Sequence, residues 1–337
     1  LLRRIRAEKG TSILFVTHDF GVVADFADRV VVMEKGRIVE QGSVDQVLSA
    51  PKADYTKKLV AAVPRLTPAT LPPPEPETVL SVDGVTKTYG GRGVRAVDNV
   101  TLTVRRGETL GVIGESGSGK SSLGRMIVRL IEADEGHILF RGTDMTALPK
   151  EELREARKAL QMIFQDPLSS LNPRKRVRTI LTDGPAAHGV GRQEAEKHAA
   201  ELLQIVGLSP AALDRFPHEF SGGQRQRIGI ARALMLHPEV IVADEPVSAL
   251  DVSVQAAVLD LLNDLQKRMK LALVFITHDL RVAAQLCHSV AVMQRGVVVE
   301  YGPTREVFAD PQHDYTKRLL AAIPGRRLED LPRMEHA

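Results

Sequence analysis

A stretch of sequence occurs twice in this chain. Residues 13–64 align without a gap onto residues 273–324, with FVTHD matching FITHD and DYTKKLVAAVP matching DYTKRLLAAIP. A solenoid needs three or more adjacent repeats, whereas these two copies lie far apart. The pattern therefore predicts duplication of a whole domain. Because a long stretch of other sequence precedes the second copy, the chain is expected to begin inside the first domain.

A proline-rich segment separates two unequal parts. TPATLPPPEPET, at residues 67–78, holds five prolines and no periodic apolar pattern. Such a composition predicts an extended, semi-rigid linker. Residues 1–66 are then the C-terminal end of a first domain, and residues 79–325 form a complete second one. Without its central strands, the first part would expose an apolar sheet edge, so weak amide protection is expected there.

The second part alternates short β-branched runs with helical patterns, which indicates parallel strands with crossover helices. Two early segments, VLSVDGVTKTYG and VRAVDNVTLTV, alternate with period two and predict an antiparallel sheet. Residues 166–238 have helical periodicity and almost no strand pattern, so they predict a helical subdomain. The parallel strands are expected at TLGVIG (109–114), LQMIFQ (160–165), VIVADEP (240–246), LALVFITH (271–278) and VAVM (290–293).

Composition narrows the function classes. The net charge is only +3, and the one basic cluster, residues 174–178, is short enough to be a solvated face, so no nucleic-acid partner is expected. The single cysteine, Cys287, excludes an intrachain disulfide and a four-cysteine iron–sulfur cluster or zinc site. No apolar run approaches the roughly 18 residues of a membrane span, so a membrane role would come through a partner.

GESGSGKS fits the phosphate-loop pattern and lies between an apolar strand and a helical segment, which is the context that the pattern requires. Its backbone N–H groups are expected to surround phosphate oxygens, Lys120 to reach the β and γ phosphates, and the Ser121 hydroxyl to ligate Mg²⁺. A flexible Gly-Ser turn is the alternative. The expected nucleotide-binding residues are Gly114, Glu115, Ser116, Gly117, Ser118, Gly119, Lys120, Ser121 and Ser122.

Asp244 and Glu245 end the apolar run VIVADE. Two carboxylates there are costly unless they face a metal or polarise a water molecule. Asp244 suits the Mg²⁺ shell and Glu245 suits the general base for an attacking water, although the pair could also simply cap the strand. A second anion site is predicted at the start of an amphipathic helix, where Ser221, Gly222, Gly223 and Gln224 stand.

The order of these elements resembles the ABC transporter ATPases throughout residues 78–325. The resemblance implies an α/β fold: a P-loop NTPase core with a mixed sheet, an antiparallel β subdomain and an α-helical subdomain at about 166–238. FSGGQ resembles the signature motif, with an inward-packing Phe220. The family pattern makes Gln165 the Q-loop residue at Mg²⁺ and water, and Ser248-Ala249-Leu250-Asp251 the D-loop, with Asp251 at the dimer interface. It makes His278 the switch histidine (matched by His18 in the first copy) and Tyr89 the aromatic on adenine.

Two further stretches resemble the ATPases of oligopeptide, dipeptide and nickel importers: QDPLSSLNPR, and HDYTKRLLAAIP within an extension at about 303–325, before a tail at 326–337. The likeness implies a tandem ATPase that powers peptide import. Nickel, glutathione or peptide-antibiotic import is the alternative within this class. A soluble ABC ATPase without a permease is the alternative outside it, although the long charged linker or coiled-coil insertion expected of such proteins is not seen.

The resemblance also implies the ligands and partners. ATP is the substrate, Mg²⁺ is the cofactor, and catalysis falls to Glu245, His278, Gln165 and Lys120. Because family members work as head-to-tail pairs, each site needs a second ABC ATPase domain, either another copy of this one or the other half of a tandem protein. Two transmembrane permease subunits and, indirectly, an extracytoplasmic substrate-binding protein complete the assembly, which places the chain peripherally on the cytoplasmic face of the inner membrane.

Overall fold

The structure is a computed structural model that describes residues 2–17, 19–90, 93–248 and 250–325. Three features singled out in the sequence lie outside these residues. They are His18, Ala249 of the predicted D-loop, and the tail at 326–337.

The first part of the chain folds around a two-stranded antiparallel sheet. Ala24, Val44 and Leu48 form a small apolar cluster beside it. The elements are α1 (Leu2–Lys9), α2 (Phe20–Phe26), β1 (Arg29–Glu34), β2 (Arg37–Ser43), α3 (Val44–Ser49) and α4 (Asp54–Ala61).

The second part, which we call the main domain, contains two sheets and most of the helices. From its first strand to the end of the helical region, its elements are β3 (Thr78–Tyr89), β4 (Val94–Arg105), β5 (Thr109–Ile113), α5 (Lys120–Ile127), β6 (Glu135–Phe140), β7 (Thr143–Asp144), α6 (Lys150–Ala159), β8 (Leu160–Ile163), α7 (Pro167–Ser170), α8 (Val177–Ala187), α9 (Arg192–Ile205), 3₁₀ turns at Pro210–Asp214 and Pro217–Glu219, and α10 (Gly222–Leu234). Its remaining elements are β9 (Val240–Asp244), α11 (Val252–Met269), β10 (Ala272–Thr277), α12 (Leu280–Leu286), β11 (Ser289–Gln294), β12 (Val297–Pro303), α13 (Thr304–Ala309) and α14 (Asp314–Ala321).

The main sheet has six strands in the order β12-β11-β5-β10-β9-β8 and is parallel except for the edge strand β12. Every residue of β5, β9 and β10 is buried, because helices cover one face of the sheet, and α5 and a second sheet cover the other. A second, antiparallel sheet has the order β4-β3-β6-β7. Helix α5 contributes Leu123, Met126 and Ile127 to the apolar core that both sheets share. The predicted α/β fold with a mixed sheet and an antiparallel subdomain is confirmed.

The two copies of the repeat have the same local structure. Glu40 on β2 accepts hydrogen bonds from the backbone N–H groups of Lys52 and Ala53, at 2.8 and 3.0 Å. The corresponding Glu300 on β12 accepts from those of Gln312 and His313, at 2.8 and 3.1 Å. The β1–β2 and β11–β12 pairs also share a register shift at the same position. We call residues 13–64 the N-terminal repeat and residues 273–324 the C-terminal repeat.

The repeats differ at their first segment. Residues 13–17 form no strand, although they match β10. Leu14 and Val16 are 94% and 91% exposed. The reason is that β10 is a strand only because β5 and β9 pair with it on both sides. Within the described residues, nothing offers residues 13–17 equivalent neighbours.

We expect the amides of residues 13–17 to exchange with solvent almost as fast as in an unfolded peptide, because they donate no sheet hydrogen bonds. Those of β10, which stand between two strands, should be slower by several orders of magnitude. Hydrogen exchange followed by mass spectrometry measures both segments in one sample. Equal protection of the two would show that residues 13–17 pair with a strand.

The proline-rich linker is docked on the main domain. The Ala69 N–H donates to the Ala284 carbonyl at 2.9 Å, and the Glu75 N–H donates to the Arg106 carbonyl at 3.0 Å. His288 Nε2 lies 3.0 Å from the carbonyl oxygen of Pro72. The linker therefore follows the surface of the main domain, and the first part of the chain is held against that domain.

Candidate active site

The phosphate loop connects β5 to α5 and is enclosed by two other strands. Gly114 and Gly119 have φ angles of 148° and 104°, and a Cβ at either would collide with a backbone carbonyl, of Met293 on β11 and Ala96 on β4 respectively. A residue with a side chain fits at neither position, because both the backbone angle and the close approach require glycine. The loop's shape is therefore fixed by its surroundings.

Lys120 is folded back against this loop. Its ammonium group donates to the carbonyl oxygens of Gly114 and Glu115, both at 2.8 Å. The residue is only 4% exposed, and burial lowers the pKa of Lys120, while the nearby carboxylates of Glu245 and Asp244 oppose that shift. A cation is thus held where the loop's N–H groups would surround a phosphate chain.

Ser121 and Asp244 lie beside it. The Ser121 hydroxyl donates to Asp244 Oδ1 at 2.9 Å, and Asp244 is 1% exposed. Burial deprives the ionised form of Asp244 of the solvation that it would have in water, and this raises the pKa of Asp244. A hydroxyl oxygen and a buried carboxylate oxygen are ligands that Mg²⁺ accepts, together with phosphate oxygens and water. These two residues fit the predicted cation.

Gln165, Glu245 and His278 follow three neighbouring strands, β8, β9 and β10, and meet at one edge of the sheet. Glu245 Oε2 accepts from Gln165 Nε2 at 3.1 Å and lies 3.2 Å from His278 Nδ1. The contact with His278 lowers the pKa of Glu245 and raises that of His278. The carboxylate is therefore ionised at neutral pH, as a proton acceptor must be, although these contacts reduce its basicity.

The backbone of Glu245 is strained as well. Its φ is +44°, in the left-handed region that residues with side chains rarely adopt. The Glu245 N–H donates to the Ile276 carbonyl at 3.0 Å, and its own carbonyl accepts from the Ser248 hydroxyl at 3.1 Å. Such strain is found preferentially at functional sites, where the surrounding structure enforces it.

The structure does not bring the SGGQ motif to this group. Ser221 caps α10 by accepting from the Gln224 N–H, and Gln224 Oε1 accepts from the Ser221 N–H at 3.0 Å. Ser221, Gly222 and Gln224 are exposed, whereas Gly223 and Phe220 are buried. The motif therefore presents a capped helix N-terminus to solvent, with the partial positive charge of such an end.

Two other predicted residues, Asp251 and Tyr89, lie at the surface. Asp251, the last residue of the predicted D-loop, is exposed at the start of α11. Tyr89, 41% exposed, ends β3 opposite Val94, close to the stretch of β4 that crosses the phosphate loop at Ala96. Lys87 Nζ lies 5.9 Å from the centre of the Tyr89 ring. The Tyr89 ring is therefore partly exposed to solvent near the phosphate loop.

Tyr315 also contacts the phosphate loop and was not predicted from the sequence. This buried residue of α14 accepts a hydrogen bond at 3.1 Å from the N–H of Glu115 in the phosphate loop. It ties the C-terminal extension to the loop. The DYTK motif that recurs in both repeats was the available signal, since a tyrosine that returns at the same place is a candidate for a fixed contact.

We expect Tyr315→Phe to weaken ATP binding by about three- to tenfold, because it leaves the Glu115 N–H without that acceptor and so costs about 1 kcal/mol. Isothermal titration with ATP measures the change. Tyr55→Phe is the matched control, since Tyr55 is the same residue of the N-terminal repeat. Equal affinity in the Tyr315 and Tyr55 variants would show that the contact does not support the loop.

Two known protein families match parts of this chain. Residues 97–248 match the ABC transporter family, and residues 39–85 and 299–334 match the C-terminal region of oligopeptide/dipeptide transporters. The chain is 45% identical to the glutathione import ATP-binding protein of Salmonella paratyphi A, over 96% of this chain and 58% of that protein. It is 47% identical to the peptidoglycan transport ATP-binding protein of Agrobacterium fabrum, over 96% and 61%. The chain therefore spans about three fifths of these curated relatives.

Solved structures show the same fold. The ATP-binding cassette MJ0796, in a dimeric post-hydrolysis state bound to ADP and phosphate, matches with a TM-score of 0.62 and 30% identity, over 67% of this chain and 99% of that one. The cassette cbiO1 of Clostridium perfringens matches with a TM-score of 0.61 and 27% identity, over 69% and 92%. The chain therefore belongs to the ABC transporter family of ATP-binding cassettes.

Proposed function

We propose that the main domain binds ATP with Mg²⁺ and hydrolyses it, and that the chain supplies energy to an importer of peptides. The observation that carries this proposal is the convergence of Gln165 and His278 on Glu245, beside a phosphate loop that holds Lys120. A carboxylate that receives two polar contacts at the end of a buried strand is poised to orient a water molecule.

Hydrolysis would proceed by attack of water on the γ phosphorus. Glu245 accepts the proton of that water, and the bond between the γ phosphorus and the oxygen bridging to the β phosphate breaks, which yields ADP and phosphate. Lys120 stabilises the phosphate charge, and His278 contacts the γ phosphate. When bound, Mg²⁺ neutralises charge on the phosphate oxygens, with Ser121, Gln165 and Asp244 as the residues that would hold it.

A second ABC ATPase domain would complete the site. The exposed N-terminus of α10, capped by Ser221, is suited to bind the γ phosphate of an ATP whose phosphate loop belongs to another domain. The dimeric form of the cassette MJ0796 supports such pairing. Asp251 and Tyr89 would then lie at the domain interface and on adenine, respectively.

The permease would bind near Gln165. A groove of about 420 Å³ lies between the main sheet and the helical region, lined by apolar residues such as Phe164 and Leu181 and by Arg232. Three of the four basic side chains in the cluster next to it have partners within the domain. Lys175 pairs with Asp183, Arg178 pairs with Asp214 and Glu196, and Arg176 donates to the Asp214 carbonyl oxygen. The groove, more than the cluster, suits an inserted permease segment.

The described part of the chain has no helix with both the length and the apolar character needed to span a bilayer. Two transmembrane permease subunits would hold the chain at the cytoplasmic face of the inner membrane. An extracytoplasmic substrate-binding protein would act with them.

Peptide import rests on the match of residues 299–334 to the oligopeptide/dipeptide transporter region. Glutathione import is the second candidate, because a glutathione import ATP-binding protein is 45% identical to this chain. Both substrates contain peptide bonds, and other subunits would select between them.

A chimera tests the transport role. We would replace the matching region of the glutathione import ATP-binding protein with this chain and measure uptake of labelled glutathione in cells that lack the native subunit. Uptake that persists in the chimera and is lost with Glu245→Gln is the expected result. A chimera that accumulates to normal levels and hydrolyses ATP, yet supports no uptake, would contradict the transport role.

A further inference from the structure

The two repeats contact each other through matching residues. Gln285 on α12 donates from Nε2 to the carbonyl oxygen of Arg65, at 2.8 Å. Gly325 donates from its N–H to Asp25 Oδ2 on α2, also at 2.8 Å. In the repeat alignment Asp25 corresponds to Gln285, and Arg65, just after the N-terminal repeat, corresponds to Gly325. The position shared by Asp25 and Gln285 therefore contacts the position shared by Arg65 and Gly325 twice, once in each direction between the two repeats.

Such an exchange marks an approximate twofold axis, because in a twofold interface position i meets position j and j meets i. The axis passes between α2 and α12. Around it, the Pro324 carbonyl accepts from Arg281 at 2.7 Å, and a Cβ on the buried Gly21 would lie 2.7 Å from that same oxygen. Gly21 occupies the position of Arg281 in its own repeat, and its missing side chain permits the close approach.

Apolar contacts accompany these hydrogen bonds. Leu66 packs against the core of the main domain, and α4 lies against α11. Val63 and Pro64 line a cavity of about 380 Å³ together with Ile323. We call α2 with residues 62–67, and α12 with residues 322–325, the repeat interface. His278 and Glu245 line the same cavity, so the repeat interface lies next to these two residues of the candidate active site.

We propose that two ABC ATPase domains pair through the repeat interface at their C-terminal ends, and that this pairing needs no nucleotide. In this chain, the N-terminal repeat takes the place of the second domain's C-terminal end. None of the hydrogen bonds named above involves the phosphate loop or the SGGQ motif. The proposal rests on the repeat contacts and not on the transport role or on hydrolysis. It assigns to the C-terminal region a pairing function separate from the nucleotide sites.

One consequence concerns pairing of two whole chains. A second chain could place its own α12 and residues 322–325 on this surface only by displacing the N-terminal repeat, because both would occupy the same place. Pairing through two main domains is therefore expected to be weak and to depend on chain concentration.

Hydrogen exchange on the full chain tests the proposal. Gly21→Ala places a Cβ against the Pro324 carbonyl, and Asp25→Ala removes the acceptor of Gly325. We expect each to speed exchange about tenfold in the other repeat, at residues 280–286 and 322–325, which corresponds to about 1.4 kcal/mol. Gly191→Ala, in open space at an exposed helix start, is the matched control and should change nothing there.

A substitution in the C-terminal repeat tests the same interface from its other side. Gln285→Ala should speed exchange at residues 62–69, at the end of the other repeat and just after it. All three effects should be the same with and without Mg²⁺ and ATP, and also when Glu245→Gln is present, so a failure of the hydrolysis role would not affect them. Changes confined to the substituted repeat, or protection that appears only with ATP, would overturn the proposal.

Discussion

Replacing Glu245 by glutamine is expected to reduce the rate of ATP hydrolysis by at least about a hundredfold, the usual contribution of a general base, while ATP affinity stays within about threefold of the original. Glutamine has the same shape and can still accept from Gln165, so the local geometry should persist. It cannot take the proton of the attacking water. Phosphate release measures the rate, and titration with ATP measures the affinity.

The matched control is Glu135→Gln, which removes the same charge from an exposed position of the antiparallel sheet. Its hydrolysis rate should equal that of the unmodified chain. If Glu245→Gln retained more than about a tenth of the normal rate, Glu245 would not be the base and another acceptor would have to be sought.

Replacing Lys120 by alanine is expected to act one step earlier, on binding. The ammonium is buried against the loop, where each charge-assisted hydrogen bond is worth about 1.5–3 kcal/mol. We therefore expect ATP affinity to fall by at least about tenfold, and hydrolysis at subsaturating ATP to fall at least as far. The difference between the two variants separates binding from chemistry.

Lys317→Ala serves as its control, because Lys317 is an exposed lysine at the end of a loose surface ion pair with Asp314. It should bind ATP as the unmodified chain does. An unchanged affinity in Lys120→Ala would mean that the phosphates do not lie in the loop described here.

Much of the site follows from the strand pattern alone. Gln165, Glu245 and His278 each end a buried apolar run, and the carboxyl ends of parallel strands face the same edge of a sheet. Their meeting at Glu245 Oε2 was therefore predictable once the runs were recognised as neighbouring strands. The runs themselves do not encode the order of those strands, which the structure shows to be β10-β9-β8.

Other features depend on contacts that no local pattern encodes. The hydrogen bond between Tyr315 and Glu115 joins residues 200 positions apart. Residues 13–17 have a strand-like sequence but form no strand, because no described strand lies beside them. The half-exposed edge strand β12 was not identified as a strand, since its residues match neither a buried run nor a clean alternation.

The central claim is that ATP turnover needs Lys120 and Glu245 of one domain and the exposed SGGQ motif of another. Steady-state hydrolysis by the purified chain over a hundredfold range of concentration tests it most directly, with Glu245→Gln as the control. The account predicts that activity per chain rises with concentration and is absent in the control. Activity per chain that is the same at every concentration, and is still lost in Glu245→Gln, would show that a single chain completes the site and would contradict the account.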